Sequence, residues 1–400
     1  MLGRSRPTRM VMINVWNHRS QQSSSRADRN PTFEKLKNAF IFLLPTAGML
    51  AFFVINNPIS KGTVQGDRRL EILSEYLLPR IKRIVPNTKD YVKLVNNKEY
   101  ISRASIEKEI SRYISRVEAN GSYCIIYGSA GVGKTIVVEA VAHGRPGILK
   151  VKLTNAENGF FRELVELTGT SQFDPTREMI LEILSKAVLD KGILPTVIFE
   201  VETASDYDGL HAARLLCKDF ASVCNCIMVV AELDDVVQFR DSAREKFIFV
   251  GELNENETRE YVKQHGMMLN ENDIKKVFNN IGSNPAILKD LKSHLQEGLS
   301  LDDFIAMVLR DAKTDLVAFQ HPQILKALKD HPEGITPMFL KRMESHGVNL
   351  SDPRAVGVEM RRWNAIIYRP ELHQYMTYSK AHEVALRSYD PILPRFQFTC

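Results

Sequence analysis

The sequence predicts an α/β fold with a parallel sheet, followed by a helical region and a terminal hairpin. Five short apolar runs alternate with helical patterns between about residues 123 and 250, an order typical of a parallel sheet with helices on both faces. A glycine-rich turn joins the first of these runs to a helix. After Gly251 the strand patterns stop and short amphipathic helices follow. The chain therefore combines one sheet-based domain with a mostly helical C-terminal part.

Length and composition indicate a globular protein of several domains. The chain has 400 residues, of which 44% are hydrophobic and 25% charged. These values exclude a mostly disordered chain and predict two or three folded units. The net charge is only +5, and much of the excess lies in the first forty residues, so a strongly basic nucleic-acid-binding face is not indicated. The five cysteines form no disulfide framework, which predicts buried thiols in a reducing compartment.

The first 55 residues predict a leader and a hydrophobic anchor. Residues 1–38 are rich in arginine and serine and poor in acids, which fits either a mitochondrial transit segment or a disordered basic tail. Residues 39–55 carry no charge, and as a helix they would span about 25 Å, slightly less than the hydrocarbon core. We expect a single membrane anchor there, with a buried core helix as the alternative. The expected location is the mitochondrial inner membrane, with the orientation left open.

Residues 56–104 predict a helical linker between this anchor and the sheet domain. Leu73, Leu77 and Ile81 recur at helical spacing. A second helix opens near Ser105, at the start of the domain expected over residues 105–253.

The strongest motif lies at residues 128–135, GSAGVGKT, which matches the P-loop pattern G-x-x-x-x-G-K-[ST] in full. An apolar strand pattern precedes it and a helical pattern follows. In this context the backbone N–H groups of the turn cradle phosphate at a helix N-terminus. Lys134 would reach the β- and γ-phosphates of ATP, and Thr135 would offer its hydroxyl to Mg²⁺. The predicted nucleotide-binding residues are Gly128, Ser129, Ala130, Gly131, Val132, Gly133, Lys134 and Thr135.

The order of strands, P-loop, helices and terminal hairpin along the chain resembles that of the AAA+/STAND class of P-loop ATPases, and especially its archaeal-type ATPase branch. The likeness rests on the P-loop, an acid after the third apolar run, the element Gly282-Ser283-Asn284-Pro285 before a helix, and the terminal helices and hairpin. It covers roughly residues 100–390. It implies a P-loop NTPase sheet over 105–253, a helical lid over 254–312 and a winged-helix-like domain over 313–392.

The resemblance also implies two acids at the end of the third strand, one that orders water on Mg²⁺ and one that polarises the attacking water. Glu200 falls at the first position and Val201 at the second. Glu202 would have to substitute, although strand alternation points it the same way as Glu200. We therefore expect Glu200 and Glu202 as catalytic residues, Thr135 and Glu200 as metal ligands, and slow turnover. The alternative is a pair of solvated acids at a strand end.

Three functions agree with this pattern. The first is a slow membrane-anchored ATPase or a nucleotide-dependent switch, in which ATP closes the lid and the winged helix on the core. The second is a scaffold that binds nucleotide without hydrolysis and acts through protein contacts. The third is a nucleic-acid-binding winged helix, which the weak basic footprint disfavours. The expected partners are ATP, other proteins or further copies of the chain, and a membrane through residues 39–55.

Overall fold

The fold is given by a computed structural model that describes residues 63–153, 177–189, 192–201, 207–230, 244–319, 322–336, 338–339, 366–369, 372 and 374–389. The chain divides into two units, Met1–Gln65 and Gly66–Cys400, and nearly all described residues belong to the second. The expected leader and anchor lie outside the described residues. None of the helices that the structure describes is long and apolar enough to span a membrane.

From residue 63, where the described residues begin, three helices precede the sheet: α1 (Thr63–Arg83), α2 (Lys89–Asn96) and α3 (Ala104–Ile114). The α1 helix contains Pro79 in its interior. The α3 helix buries Ile110, Tyr113 and Ile114, which are the residues that its helical spacing places on one face.

Five parallel strands form the central sheet in the order β2-β3-β4-β1-β5. They are β1 (Tyr123–Tyr127), β2 (Ile148–Leu153), β3 (Thr196–Val201), β4 (Asn225–Val230) and β5 (Glu245–Phe249). Each strand falls on one of the predicted apolar runs, so the parallel α/β sheet is confirmed. Beside β1, β4 pairs on one side and β5 on the other. Because the strand order reverses at β1, the carboxyl end of this strand is where an open α/β sheet binds ligands.

The two faces of the sheet pack into separate hydrophobic cores. Helices α4 (Lys134–Ala142), α5 (Arg177–Lys186) and α6 (Tyr207–Phe220) follow β1, β2 and β3 along the chain. Ile126 and Ile198 pack on the face that carries α3 and α4. Ile125 and Phe199 pack on the opposite face with α5 and α6. Side chains of a strand alternate between the two faces, so the position of a residue along β3 decides whether it faces the P-loop helix.

A helical region follows the sheet. It contains α7 (Glu255–Gln264), α8 (Glu271–Asn280), α9 (Pro285–Gln296), α10 (Leu301–Ala318) and α11 (Pro322–Asp330). The first four of these helices begin at side-chain N-caps that bond backbone N–H groups of the first turn. These caps are Asn254, Asn270, Asn284 and Ser300. Short polar caps between apolar patterns explain why the region divides into short helices.

The C-terminal part contains the predicted hairpin and one helix that the sequence did not predict. Strands β6 (Ile366–Arg369) and β7 (Gln374–Thr377) pair antiparallel, and α12 (Lys380–Ser388) follows. One hydrophobic core contains buried residues from α7 through α12. The α10 helix runs through residue 312, where the lid was expected to end, and the division into lid and winged helix remains a prediction.

Candidate nucleotide-binding site

The P-loop lies directly after β1 and has a backbone that its glycines make possible. Gly128 has φ 157°, and a Cβ added there would collide with the carbonyl oxygen of Val250. Gly131 has φ 77°, and a Cβ there would lie 2.5 Å from Cβ of Ala286. A side chain at either position would be strained and obstructed. The turn can therefore pass close to β5 and to the start of α9 only with glycine.

Lys134 is the first residue of α4, and its side chain returns over the loop. The Nζ atom donates to the carbonyl oxygens of Gly128 at 2.8 Å and Ser129 at 3.0 Å. The residue is buried, and the preceding Gly133 N-caps the helix in the left-handed region. An ammonium group and the positive end of a helix dipole thus lie at one loop, as an anion site requires. Thr135 follows, half-buried, in the same helical turn.

Ala130 lies at the tip of the P-loop and is bonded by two C-terminal elements. Its N–H donates to the phenol oxygen of Tyr378 at 2.9 Å. Its carbonyl oxygen accepts from Nδ2 of Asn284 at 2.8 Å. The neighbouring Ser129 hydroxyl donates to the Tyr378 carbonyl at 3.1 Å. The first turn of α9 and the segment between β7 and α12 therefore both contact the loop.

Arg103, which precedes α3, links the P-loop to the segment that follows β5. Its guanidinium donates to the carbonyl oxygens of Gly251 at 2.8 Å, Glu252 at 3.0 Å and Val132 at 3.3 Å. Its Nε lies 3.8 Å from a carboxylate oxygen of Glu257 in α7. Burial lowers the pKa of Arg103. This side chain connects the N-terminal segment, the P-loop and the helical region.

A cavity of 670 Å³ opens beside the P-loop. The loop, α2, α7 and α9 contribute to its wall, and its apolar lining includes Leu94, Ile101, Val137, Leu253 and Tyr261. The volume is within the usual range for small-molecule sites. The basic side chains of Lys93, Lys289 and Lys292 also line it. An apolar recess next to an anion-binding loop can hold the uncharged and the charged part of one ligand.

Glu200, the predicted metal ligand, is buried and lies beside a lysine. The ammonium of Lys150 is 3.0 Å from Oε1 of Glu200 and 2.6 Å from Oε1 of Glu139. The Tyr91 N–H donates to the other Glu139 oxygen at 3.0 Å. Burial acts to lower the pKa of Lys150, but the hydrogen bonds and charges of the two carboxylates outweigh it, and the pKa is raised. Lys150 is therefore protonated at neutral pH.

This arrangement does not fit a Mg²⁺ shell at Glu200. Magnesium takes carboxylate and hydroxyl oxygens in a compact octahedral shell, and a cation at Oε1 of Glu200 would meet the Lys150 ammonium, which lies 3.0 Å from that atom. Among the described residues, no group of three or more histidine, cysteine, aspartate or glutamate side chains could hold a metal ion.

The second predicted acid position faces away from the P-loop helix. Val201 is buried on the face that packs against α5 and α6, whereas Glu200 alternates to the other face. Glu202 lies outside the described residues, so its catalytic role stays a prediction. The resemblance implies an acid at position 201 that polarises the attacking water. Instead, β3 directs the side chain at this position into the core.

No family model and no curated protein matches the chain. Solved structures similar to it include the Walker-type ATPase of Pyrococcus abyssi, with 13% identity, a TM-score of 0.47, and coverage of 72% of this chain and 96% of that one. A STAND protein with a tetratricopeptide-repeat sensor from Pyrococcus horikoshii has 13% identity and a TM-score of 0.34, over 73% of this chain and 43% of that one. A DNA replication initiation factor has 14% identity and a TM-score of 0.30, over 57% and 68%.

The chain has an α/β P-loop NTPase fold, in which a complete P-loop follows strand β1 of a five-stranded parallel sheet. The P-loop NTPase sheet that the resemblance implies is thus confirmed. Within this P-loop NTPase fold, sequence reasoning missed Arg103, Lys150 and Tyr378. A buried arginine or lysine is unusual enough to attract attention once burial is known, but no spacing in the sequence marks these residues.

Proposed function

We propose that the chain binds ATP at residues 128–135 and works as a slow ATPase or a nucleotide-dependent switch. The observation that carries this proposal is the Lys134 ammonium, held over the P-loop at the N-terminus of α4 beside a 670 Å³ cavity. The triphosphate would give Lys134 a charged acceptor, which bonds more strongly than the neutral carbonyls of Gly128 and Ser129. The nucleoside would occupy the apolar recess.

Slow hydrolysis is expected from the end of β3. Phosphoryl transfer depends on positioning and on charge stabilisation rather than on covalent chemistry by the protein. Val201 packs into the core, and the Glu200 carboxylate is engaged by Lys150. Neither Val201 nor the Lys150-paired Glu200 suits the role of base for the attacking water, and we propose Glu202 for this role. Glu200 is not proposed as a Mg²⁺ ligand, because the Lys150 ammonium lies at its carboxylate; the Thr135 hydroxyl remains available to a cation.

The switch would act through Ala130. Asn284 at the start of α9 and Tyr378 before α12 both contact the P-loop, and we assign these elements to the proposed lid and the proposed winged-helix-like domain. A phosphate group that takes the Ala130 N–H would compete with the Tyr378 phenol. We therefore propose that ATP loosens the C-terminal domain from the loop, the opposite of the closure that the sequence alone suggested.

Membrane anchoring through residues 39–55 is also part of the proposal, with the mitochondrial inner membrane as its site. It is supported by the uncharged apolar run and the arginine-rich leader. Alkaline carbonate extraction of the full chain and of a chain lacking residues 1–60 tests it. Equal release of both into the soluble fraction contradicts an anchor.

The proposed nucleotide function is tested by measuring ATP affinity and phosphate release separately on the full chain. Binding with slow release supports a slow ATPase or a switch. Binding with no release above the buffer rate supports the non-hydrolysing scaffold, which the position of Val201 favours as the second candidate. Absence of ATP binding contradicts both functions.

A further inference from the structure

The cluster of Lys150, Glu139 and Glu200 lies between the P-loop helix and the end of β3. Glu139 is one helical turn beyond Thr135, on the same face of α4. Where β2 pairs with β3, Lys152 is opposite Glu200. Lys150 lies two residues earlier on β2 and on the same face of the sheet. Its side chain extends along the strand toward the Glu200 carboxylate. An ammonium group thus lies where the fold brings the helix of Thr135 and the acid of β3 together.

The charges of this cluster are well shielded from water. The side chains are 12% exposed for Lys150, 3% for Glu139 and 10% for Glu200. Two buried carboxylates without a cation would repel each other and any phosphate nearby. The lysine opposes both, which leaves the cluster one negative charge instead of two. The ammonium lies 2.6 Å from a Glu139 oxygen and 3.0 Å from a Glu200 oxygen, and these two carboxylates hold it in the charged form.

We infer that Lys150 takes over the charge-neutralising role of a divalent cation at Glu200, so that ATP binding by this chain does not depend on Mg²⁺. In a site with an unpaired acid, the carboxylate repels the phosphates of ATP unless a divalent cation lies between them. Here the fixed ammonium supplies that charge. The inference rests on the proposed ATP binding at residues 128–135.

The test is ATP titration of the full chain in excess Mg²⁺ and in excess EDTA. The wild type should show affinities within about threefold of each other in the two buffers. Lys150→Met removes the cation between Glu139 and Glu200. This variant should bind ATP at least about tenfold more tightly with Mg²⁺ than without it. Lys150→Arg retains a cation and should resemble the wild type.

A matched control is Lys246→Met, which removes an exposed strand lysine of β5 and should not create Mg²⁺ dependence. If Lys150→Met does not fold, Lys150→Met with Glu139→Gln keeps only the Glu200 charge and should still show the dependence. A wild type that needs Mg²⁺ for tight binding, or a Lys150→Met variant indifferent to Mg²⁺, overturns the inference while the P-loop function stands. Absence of ATP binding in both buffers removes the proposed function and the inference with it.

Discussion

The side-chain amide of Asn284 donates a hydrogen bond to the carbonyl of Ala130 over 2.8 Å. The other atom of the same amide, Oδ1, accepts from the Ala286 N–H and caps α9. Gly131 lies against this cap, where any side chain would meet Ala286. Two short motifs that are 154 residues apart in the sequence therefore form one structural unit, in which the start of α9 fixes the tip of the P-loop.

Asn284→Ala should destabilise the fold by about 1–2 kcal/mol, because it removes both an N-cap and a hydrogen bond to the loop. Asn284→Asp keeps a capping oxygen but cannot donate to Ala130 and should lose less. The control is Asn270→Ala, which removes only the cap of α8. Urea unfolding measures stability, and ATP titration should show weaker binding for Asn284→Ala alone. Equal ATP affinity in the two alanine variants would mean that Asn284 does not organise the loop.

Tyr378→Phe removes the acceptor of the Ala130 N–H and keeps the aromatic ring. If the phenol competes with phosphate, the variant should bind ATP about fivefold more tightly, since one hydrogen bond is worth about 1 kcal/mol. Tyr389→Phe, a second tyrosine beyond α12, serves as the control. Weaker ATP binding by Tyr378→Phe would indicate that the phenol helps to hold the nucleotide and would refute release by competition.

Val201→Glu would place a carboxylate in the core between the sheet and helices α5 and α6. An unpaired buried charge costs several kcal/mol, so we expect a large drop in thermal stability and no gain in ATP turnover. The control is Val188→Glu, because Val188 is 44% exposed and should tolerate the change within about 0.5 kcal/mol. A stable Val201→Glu protein with faster phosphate release would show that position 201 reaches the attacking water.

The carboxyl group of Glu252 makes the free energy of unfolding depend on pH. Its carboxylate accepts from the N–H groups of Ser283 at 3.0 Å and Lys380 at 3.4 Å, and burial raises its pKa. A carboxyl with a raised pKa in the folded state favours folding most below its unfolded pKa, about 4.3. That contribution is lost as the pH rises through the folded value.

Glu252→Gln removes this titration. The stability of the variant relative to the wild type should therefore increase as the pH rises above about 4.3 and then level off. Thermal unfolding between acid and neutral pH measures this difference, with Glu260→Gln, at an exposed position of α7, as the control. A difference that falls with rising pH would show that the hydrogen bonds to Ser283 and Lys380, rather than burial, dominate.

Much of the fold could be predicted because its signals are local. Buried parallel strands consist of continuous apolar residues, and β1 and β3 are buried throughout. The P-loop is a contiguous motif whose glycines are needed where the structure places Gly128 and Gly131. Residues 39–55 and Glu202 lie outside the described residues, and the predictions for them stand as they were.

The partners of the site could not be predicted, because they depend on strand register and on long-range packing. Lys150 meets Glu200 only because β2 pairs with β3 in a particular register. Tyr378 meets Ala130 across 248 residues of sequence. A pattern can suggest which strand holds an acid, but it contains no information about which cation a neighbouring strand brings to it.

Equilibrium ATP titration of the full chain beside its Lys134→Ala variant tests whether residues 128–135 bind ATP. Loss of the ammonium should weaken binding about ten- to a hundredfold, since a charge-assisted contact is worth about 1.5–3 kcal/mol. Lys186→Ala, which removes an exposed lysine paired with Glu182, should bind as the wild type does. Unchanged ATP affinity in a folded Lys134→Ala protein would contradict ATP binding at the P-loop.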